Sequence, residues 1–254
     1  MPLRQTPAIV LSVRPYGEAD LMVSFLTPKW GRLTGVAKHA RKSRRRFANA
    51  LEPLSRVDFT LSGPGDRELE FIQKGELVRI FSGLRRDLSR LGAAAVLAEL
   101  AGTLAAPAQA APEIFITLEE ALALLEDGRP PDSLLPAFIL HLLALGGYGP
   151  RWEPCLDCGQ EPAPPLYFSA ARGGMVCGPC SRTAREPLFP LDPGTWKSLK
   201  LAQSLPRAKL ANLRFTPRAR DQGLGLLKLF LRHHLGRDLK SWAFWEKVSV
   251  GGGG

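Results

Sequence analysis

A chain of 254 residues that is 45% hydrophobic holds enough apolar material for a packed core and does not have the composition of a disordered segment. Its 34 lysines and arginines against 24 acidic groups leave a net charge of +10, which points to a polyanionic partner. No stretch reaches the roughly 18 apolar residues of a membrane span, and Met1 to Pro7 lacks the apolar run of a secretory signal, so no membrane partner is expected and the chain reads as cytoplasmic.

From Ala8 to Ile80, short apolar runs (Ile9–Val13, Leu21–Leu26, Leu33–Val36, Val57–Leu61, Leu69–Ile72, Leu77–Ile80) alternate with breaks at Pro15–Gly17, Thr27–Gly31 and Ser62–Asp66, each carrying Gly or Pro. Five or six such strands predict a small barrel over residues 1–80, and the OB-fold is the five-stranded nucleic-acid-binding barrel of that size. Between its strands lies the densest charge run of the chain, Lys38-His39-Ala40-Arg41-Lys42-Ser43-Arg44-Arg45-Arg46. From Lys29 to Arg56, nine basic groups face one acidic residue, Glu52. A loop or short helix there would offer Lys38, Arg41, Lys42, Arg44, Arg45 and Arg46 to a phosphate backbone; the alternatives are a solvated loop or a localisation signal. Aromatic rings on such a barrel can stack on bases. Phe25 and Phe59 fall at apolar strand positions and read as core, which leaves Trp30 beside Gly31 and Phe47 beside the arginines as stacking candidates.

The period changes after Ile80. Leu84, Leu88, Leu91, Val96, Leu97, Leu100 and Leu104 recur at helical spacing until Pro107 and Pro112, and Glu113–Leu125 and Ser133–Leu145 continue as helices closed by Gly128 and Gly146-Gly147. A helical domain is therefore expected over 81–150. The segment 151–192 turns to Pro, Gly and Cys with little periodicity, the composition of a metal-organised insert. After it, Asp192-Pro193 opens a helix over Trp196–Leu205, and Leu224, Leu227, Leu231 and Leu235 mark a longer one ended by Gly236, so that 193–250 returns to the helical bundle. His233-His234 read as a helix end, and Gly251–Gly254 as a flexible tail.

Inside the insert, Cys155-Leu156-Asp157-Cys158 and Cys177-Gly178-Pro179-Cys180 are two C-x2-C pairs separated by 18 residues, a four-cysteine zinc spacing. Two residues between ligands let one tight turn aim both sulfurs at a single ion, and Gly173-Gly174 supplies a hairpin turn before the second pair. Four buried thiols, or one redox-active pair, are the other readings. Zinc is favoured because a reducing cytoplasm disfavours disulfides and all four cysteines of the chain fall in the two pairs. Four thiolates fill a tetrahedron and leave no place for a catalytic water, so Cys155, Cys158, Cys177 and Cys180 are expected to hold one structural zinc.

Charge is uneven along the chain. Residues 1–82 hold 14 basic and 8 acidic groups, 83–150 hold 4 and 8, 151–194 hold 4 and 5, and 195–254 hold 12 and 3. Two basic regions flanking an acidic middle suit a polyanion surface drawn from both ends of the chain, the second including Lys197, Lys200, Arg207, Lys209, Arg214, Arg218, Arg220, Lys228 and Arg232, unless these are simply solvated helix faces. The acid pairs Glu18-x-Asp20 and Glu68-x-Glu70 are the only hint of a two-metal nuclease. No P-loop, dinucleotide fingerprint or G-x-S-x-G occurs, and no enzyme is expected.

Finally, several short pieces recur in a particular order: Val10-Leu11 to Glu18-Ala19-Asp20; Leu26-Thr27 followed by Gly31; Gly35 to Arg46 with its Lys/Arg-Ser-Arg core; Leu51-Glu52-Pro53-Leu54; Leu145-Gly146-Gly147-Tyr148-Gly149-Pro150 leading to Cys155 and Cys158-Gly159; then Phe168-Ser169, Gly173-Gly174, Cys177 and Cys180. In that order and spacing the chain resembles the RecO family of bacterial recombination mediator and DNA repair proteins over nearly its whole length. The resemblance implies an α+β multidomain architecture with an N-terminal OB-fold β-barrel, a helical bundle and an inserted four-cysteine zinc module. It also implies binding of single- and double-stranded DNA, annealing of complementary strands after DNA damage, and partnership with RecR and single-stranded-DNA-binding protein in loading recombinase at gaps, in the cytoplasm at the nucleoid. Lys38 to Arg46 match the family's DNA-binding barrel stretch and the four cysteines its zinc ligands. Some members lack the cysteines, so zinc is not essential to annealing. The contact with single-stranded-DNA-binding protein maps to no particular residue beyond the basic helical region. A zinc-ribbon regulator of duplex DNA, a structural adaptor and a nuclease are the rival readings.

Overall fold

Alternating inward and outward side chains close the first five strands into a barrel in the computed structural model, which describes residues 3–43, 46–62, 69–107 and 109–249. β1 (Leu3–Tyr16), β2 (Asp20–Thr27), β3 (Gly31–Ala37), β4 (Arg56–Ser62) and β5 (Glu70–Arg79) follow the order β1-β2-β3-β5-β4, and β4 pairs with β1 to complete the ring. All pairings are antiparallel except β3 with β5. This is the expected OB-like barrel. Val10, Val23, Phe25, Leu33, Val57, Phe59, Leu61 and Ile72 fill its interior. Phe25 and Phe59 meet edge to face with ring centroids 4.9 Å apart, as core positions should. The runs Leu69–Ile72 and Leu77–Ile80 belong to one strand: Gln73 to Glu76 looks like a break but stays on the ladder with β4 through irregular register.

The ring is thinnest between β3 and β5, which pair at Gly35 with Glu70 and Val36 with Phe71. The chain that follows β3 turns back to complete this wall. The Gly75 N–H donates to the Arg46 carbonyl at 2.9 Å, and Phe47 and Ala50 join the barrel core.

After a short 3-10 turn at Ser82–Arg86 come α1 (Leu88–Leu104) and α2 (Pro112–Glu126). Asp87 caps α1 by accepting from the N–H groups of Ser89 and Arg90. α1 packs on α2 and lies against β1, β2 and β3. Ile9 and Leu26, paired on the outer face of the barrel, are thereby fully buried. The close fit depends on Gly31, whose φ is +60° and where a Cβ would sit 2.2 Å from the Ala106 carbonyl oxygen and 2.6 Å from that of Gln109.

α3 (Pro131–Leu145) begins a second unit, because the chain divides by contact into Met1–Gly128 with Ala243–Gly254 on one side and Arg129–Trp242 on the other. The helices expected together over 81–150 are thus shared out. α1 and α2 bury their apolar sides on each other and on the barrel. α3, buried almost all round from Ser133 to Leu143, packs instead on two later helices. Between them lie the strands β6 (Leu166–Ser169) and β7 (Gly174–Cys177), the short α4 (Gly178–Ser181) and β8 (Phe189–Leu191), forming a sheet of order β7-β6-β8. The two later helices are α5 (Pro193–Ser204), with Asp192 accepting from the Gly194 N–H, and α6 (Pro217–Leu235), ended by Gly236 at φ +68°. A last helix, α7 (Lys240–Ser249), lies beyond the elements anticipated from periodicity and brings Trp245 and Val248 against Gly92 of α1. The Gly251–Gly254 tail lies outside the described residues. Among the described residues, no helix is long and apolar enough to cross a membrane.

If Gly31 seats the chain after α1 on the barrel, Gly31→Ala should lower the unfolding free energy by about 3 kcal/mol through backbone strain and displacement of two carbonyls. A urea melt followed by tryptophan fluorescence reads this; an unchanged midpoint would contradict the packing.

Candidate polyanion surface and metal centre

The basic run leaves the end of β3 with both of its ends tied down. The His39 N–H donates to Asp20 Oδ1 at 2.7 Å, the Arg41 N–H to the Ala19 carbonyl at 3.1 Å, and Arg41 Nη1 to the Glu18 carbonyl at 3.0 Å, holding the run against the β1–β2 turn. Arg46 Nη2 donates to the Lys38 carbonyl at 2.6 Å, while the Arg46 carbonyl is bound to β5. Lys38, His39, Arg41 and Lys42 are exposed and Arg46 is half-buried; Arg44 and Arg45 lie outside the described residues. None of Lys38, Arg41, Lys42 or Arg46 forms an ion pair with a described carboxylate, and the acceptors that fix the two arginines are backbone carbonyls.

The second basic region differs. Lys200 pairs with Glu153 at 2.5 Å, Arg218 with Asp192 at 2.7 Å, Arg220 with Asp132 and Asp221, and Arg232 with Asp238. The bidentate Arg232 guanidinium holds the Asp238 carboxyl below its ordinary range. Four of the region's cations are thus neutralised, whereas Arg214 donates to the Ala211 and Leu213 carbonyls. His233 and His234 sit at the end of α6 as expected, with His234 Nε2 3.0 Å from the Ala170 carbonyl and its ring 4.1 Å from that of Phe230.

Neither stacking candidate lies where the charge run needs it. Trp30 is half-buried at the opposite end of β3, faced by the Arg4 guanidinium at 4.8 Å and the Lys29 ammonium at 5.1 Å. The length of β3 separates it from Lys38 by roughly 26 Å along the strand. Phe47 is 4% exposed, and its ring fills the barrel interior, so it offers no face to a base. Arg46 lies 5.2 Å over the buried Phe47 ring, and an exposed aromatic also meets the run: Phe71 of β5, 37% exposed, with Lys38 Nζ 5.0 Å from its ring centre. Sequence reasoning missed it because inside and outside are exchanged there. Glu70 points inward at 0% exposure, paired with Arg4 at 2.8 Å, and Phe71 points out. Glu70 is thus tied up in an ion pair, Asp20 binds the His39 N–H, and Glu68 lies outside the described residues.

The four cysteines converge, with every Sγ within 4.8 Å of the others. Cys158 and Cys177 are 3.8 Å apart, against about 3.8 Å expected along the edge of a tetrahedron with 2.3 Å metal–sulfur bonds. The first pair sits on a turn closed by the Gly159 N–H donating to the Cys155 carbonyl at 3.0 Å. The second spans the end of β7 and α4, where Gly178 is required because a Cβ would lie 2.6 Å from Pro165 Cδ. Burial works to raise the Cys155 thiol, but backbone N–H groups of Cys158, Asp157 and Cys177 and the Cys158 thiol outweigh it and hold it down to about 6. Its neighbours move the other way. The hydrogen bond to Cys177, then burial, pushes Cys180 up to about 12. Cys177 is raised too: its hydrogen bond with the Cys180 backbone, the largest influence, lowers it, but burial and the Cys155 and Cys158 thiols overcome that. One thiolate makes each further one costlier, and a bound cation reverses that balance. The donor set therefore fits a metal ion.

Comparison with known proteins adds lineage. The family model described as Recombination protein O N terminal matches residues 1–81, and that described as Recombination protein O C terminal matches 85–243. The curated DNA repair protein RecO of Myxococcus xanthus is 37% identical over 243 residues, covering 96% of this chain and 97% of the relative. That of Pelotomaculum thermopropionicum is 36% identical over 247 residues (97% and 95%), and that of Syntrophus aciditrophicus 32% over 247 residues (96% and 95%).

Core burial of Phe47 predicts that Phe47→Ala costs about 3 kcal/mol or more in a denaturant melt, with Phe47→Leu costing much less. Folded Phe47→Leu should elute from heparin at the wild-type salt concentration. A large loss of heparin affinity at unchanged stability would instead give the ring a contact role.

Proposed function

The chain belongs to the RecO family of DNA repair proteins, and from that premise we propose that it binds single- and double-stranded DNA through Lys38–Arg46, anneals complementary strands, and with RecR helps load recombinase onto DNA coated with single-stranded-DNA-binding protein. The observation that carries the reading is the basic run that backbone hydrogen bonds hold in place and no described carboxylate neutralises. Fixed cations release counterions from a phosphate backbone without losing much freedom of their own. Two strands gathered on such a surface repel each other less and meet at higher local concentration, and base pairing supplies the rest. The mechanism is non-catalytic, needs no nucleotide, and operates in the cytoplasm at the nucleoid.

The metal proposed for Cys155, Cys158, Cys177 and Cys180 is one structural zinc, since four thiolates whose sulfurs all lie within 4.8 Å of one another suit that ion and leave no open position. It would organise the module in which Trp152 packs on Phe168 and Phe168 on Phe230 of α6.

Three measurements test this. The purified protein should accelerate annealing of complementary oligonucleotides without ATP, both bare and coated with single-stranded-DNA-binding protein; no acceleration in either state leaves a structural adaptor. If Arg41, Lys42, Arg44, Arg45 and Arg46 each neutralise a phosphate, log affinity for a single strand should fall with log salt at a slope of about −3.5, and Arg41→Ser with Lys42→Ser should reduce the slope by about 1.4. A flat response rejects the run as the contact. Atomic absorption should find about one zinc per chain, lost in Cys177→Ser with loosening of the 151–192 module; full retention would overturn the assignment.

A further inference from the structure

Beside the basic run lies an open groove of about 320 Å³, floored by Val36, walled by Phe71, rimmed by Lys38, His39 and Arg46, and ended by Gln73. We propose that it is a subsite for one unstacked base of a single strand, with Phe71 as the stacking platform and Lys38 and Arg46 holding the flanking phosphates. The proposal rests on the reading of this barrel as DNA-binding and adds to it the part of the ligand that is recognised.

Ladder register sets the groove's position. Arg14 pairs with Met22, Met22 with Val36, and Val36 with Phe71, so these side chains form one row across the outer face of the barrel. α1 and α2 cover the part of that face around Ile9 and Leu26, whereas Arg14 and Phe71 at the two ends of the row are exposed and Val36 lies buried beside Phe71. Phosphates alone would need only the cations. An exposed ring at the end of the row, where Glu70 turns into the barrel with its Oε1 unpartnered, adds a flat apolar face that suits a ligand group other than a phosphate. In the free protein the Lys38 ammonium covers the ring from 5.0 Å. A flat aromatic ligand fits the same face, and Lys38, on the flexible end of its stem, can then turn to a phosphate. Gln73, fixed by its amide donating to Ser62 Oγ at 2.7 Å, stands at the groove's end beside the base edge. Bases in a duplex are stacked on both sides and paired, so this subsite accepts a single strand and must release its base when the complement arrives.

The test compares an intact single-stranded oligonucleotide, the same backbone with abasic sites, and a duplex of equal length, each titrated by fluorescence anisotropy. Wild-type protein should bind the intact strand on the order of tenfold more tightly than the abasic one. Phe71→Leu should lose that difference, keep its duplex affinity within about twofold, and melt like wild type; Phe71→Trp should retain it. Lys38→Gln should weaken all three ligands. Equal wild-type affinity for intact and abasic strands, a measurement that involves no variant, overturns the base subsite while leaving phosphate binding intact. Absence of wild-type binding to any of the three overturns the DNA-binding reading itself.

Discussion

The short pairing of β3 with β5 is the constraint on which the first unit turns. Two ladder positions cannot seal a barrel wall, and the segment after β3 completes it, with the Arg46 carbonyl taking the Gly75 N–H and with Phe47 and Ala50 entering the core. Barrel closure and placement of the basic run are thus one event. Lys38 follows the strand end and Arg46 precedes the buried Phe47, so the positions of these two residues carry the stability of the core rather than of surface contacts. A loop of like charges would otherwise be driven apart by its own repulsion.

The manner of anchoring preserves the charge. A carboxylate could hold Arg41 or Arg46 equally well, but would cancel the potential that a polyanion senses. Glu18 and Lys38 contribute carbonyl oxygens instead, orienting the guanidinium groups while leaving their charge uncompensated. In the C-terminal region Lys200, Arg218, Arg220 and Arg232 meet Glu153, Asp192, Asp132 and Asp238, and for these four positive sequence charge becomes local structure. Counting charge along the chain did not separate these two outcomes; only the identity of the acceptors does.

Features fixed by local chemistry were legible in the sequence: strands between Gly and Pro breaks, the apolar period of α2 and α3, and cysteine pairs whose spacing alone brings four sulfurs together. What was not legible depends on partners distant along the chain. Phe47 looked superfluous to any strand and is core because β3 and β5 leave it room. Phe71 drew no notice within the run Leu69–Ile72 and is exposed because Glu70, paired with Arg4 sixty-six positions away, and Ile72 take the inward positions on either side of it. The strand break at Gln73–Glu76 is bridged because β4 tolerates irregular register. α7, short and only weakly apolar, owes its place to the small residue Gly92 on α1. Each failure is a case of tertiary packing overriding a local pattern.

The cysteine module obeys a different economy of stability. Its strands are only three and four residues long, too short to stand alone. Yet it carries an apolar set that continues into the helices: Trp152 packs on Phe168, Phe168 on Phe230, and Phe230 on His234, while Trp152 Nε1 donates to Gln203 of α5 and Trp196 Nε1 to the Trp152 carbonyl. The cysteine cluster and the aromatic packing meet on one hairpin: Cys177 at the end of β7 pairs with Leu166 of β6, and two positions further along β6 Phe168 reaches Phe230. The turn at Cys155–Cys158 and the end of β7 bring together four sulfurs that could hold a metal ion, and an ion bound there would tie the two turns to each other. The ring contacts of Trp152, Phe168 and Phe230 and the indole hydrogen bonds fix the same segment to α5 and α6 independently of any ion, so the cluster belongs to the stability of the second unit.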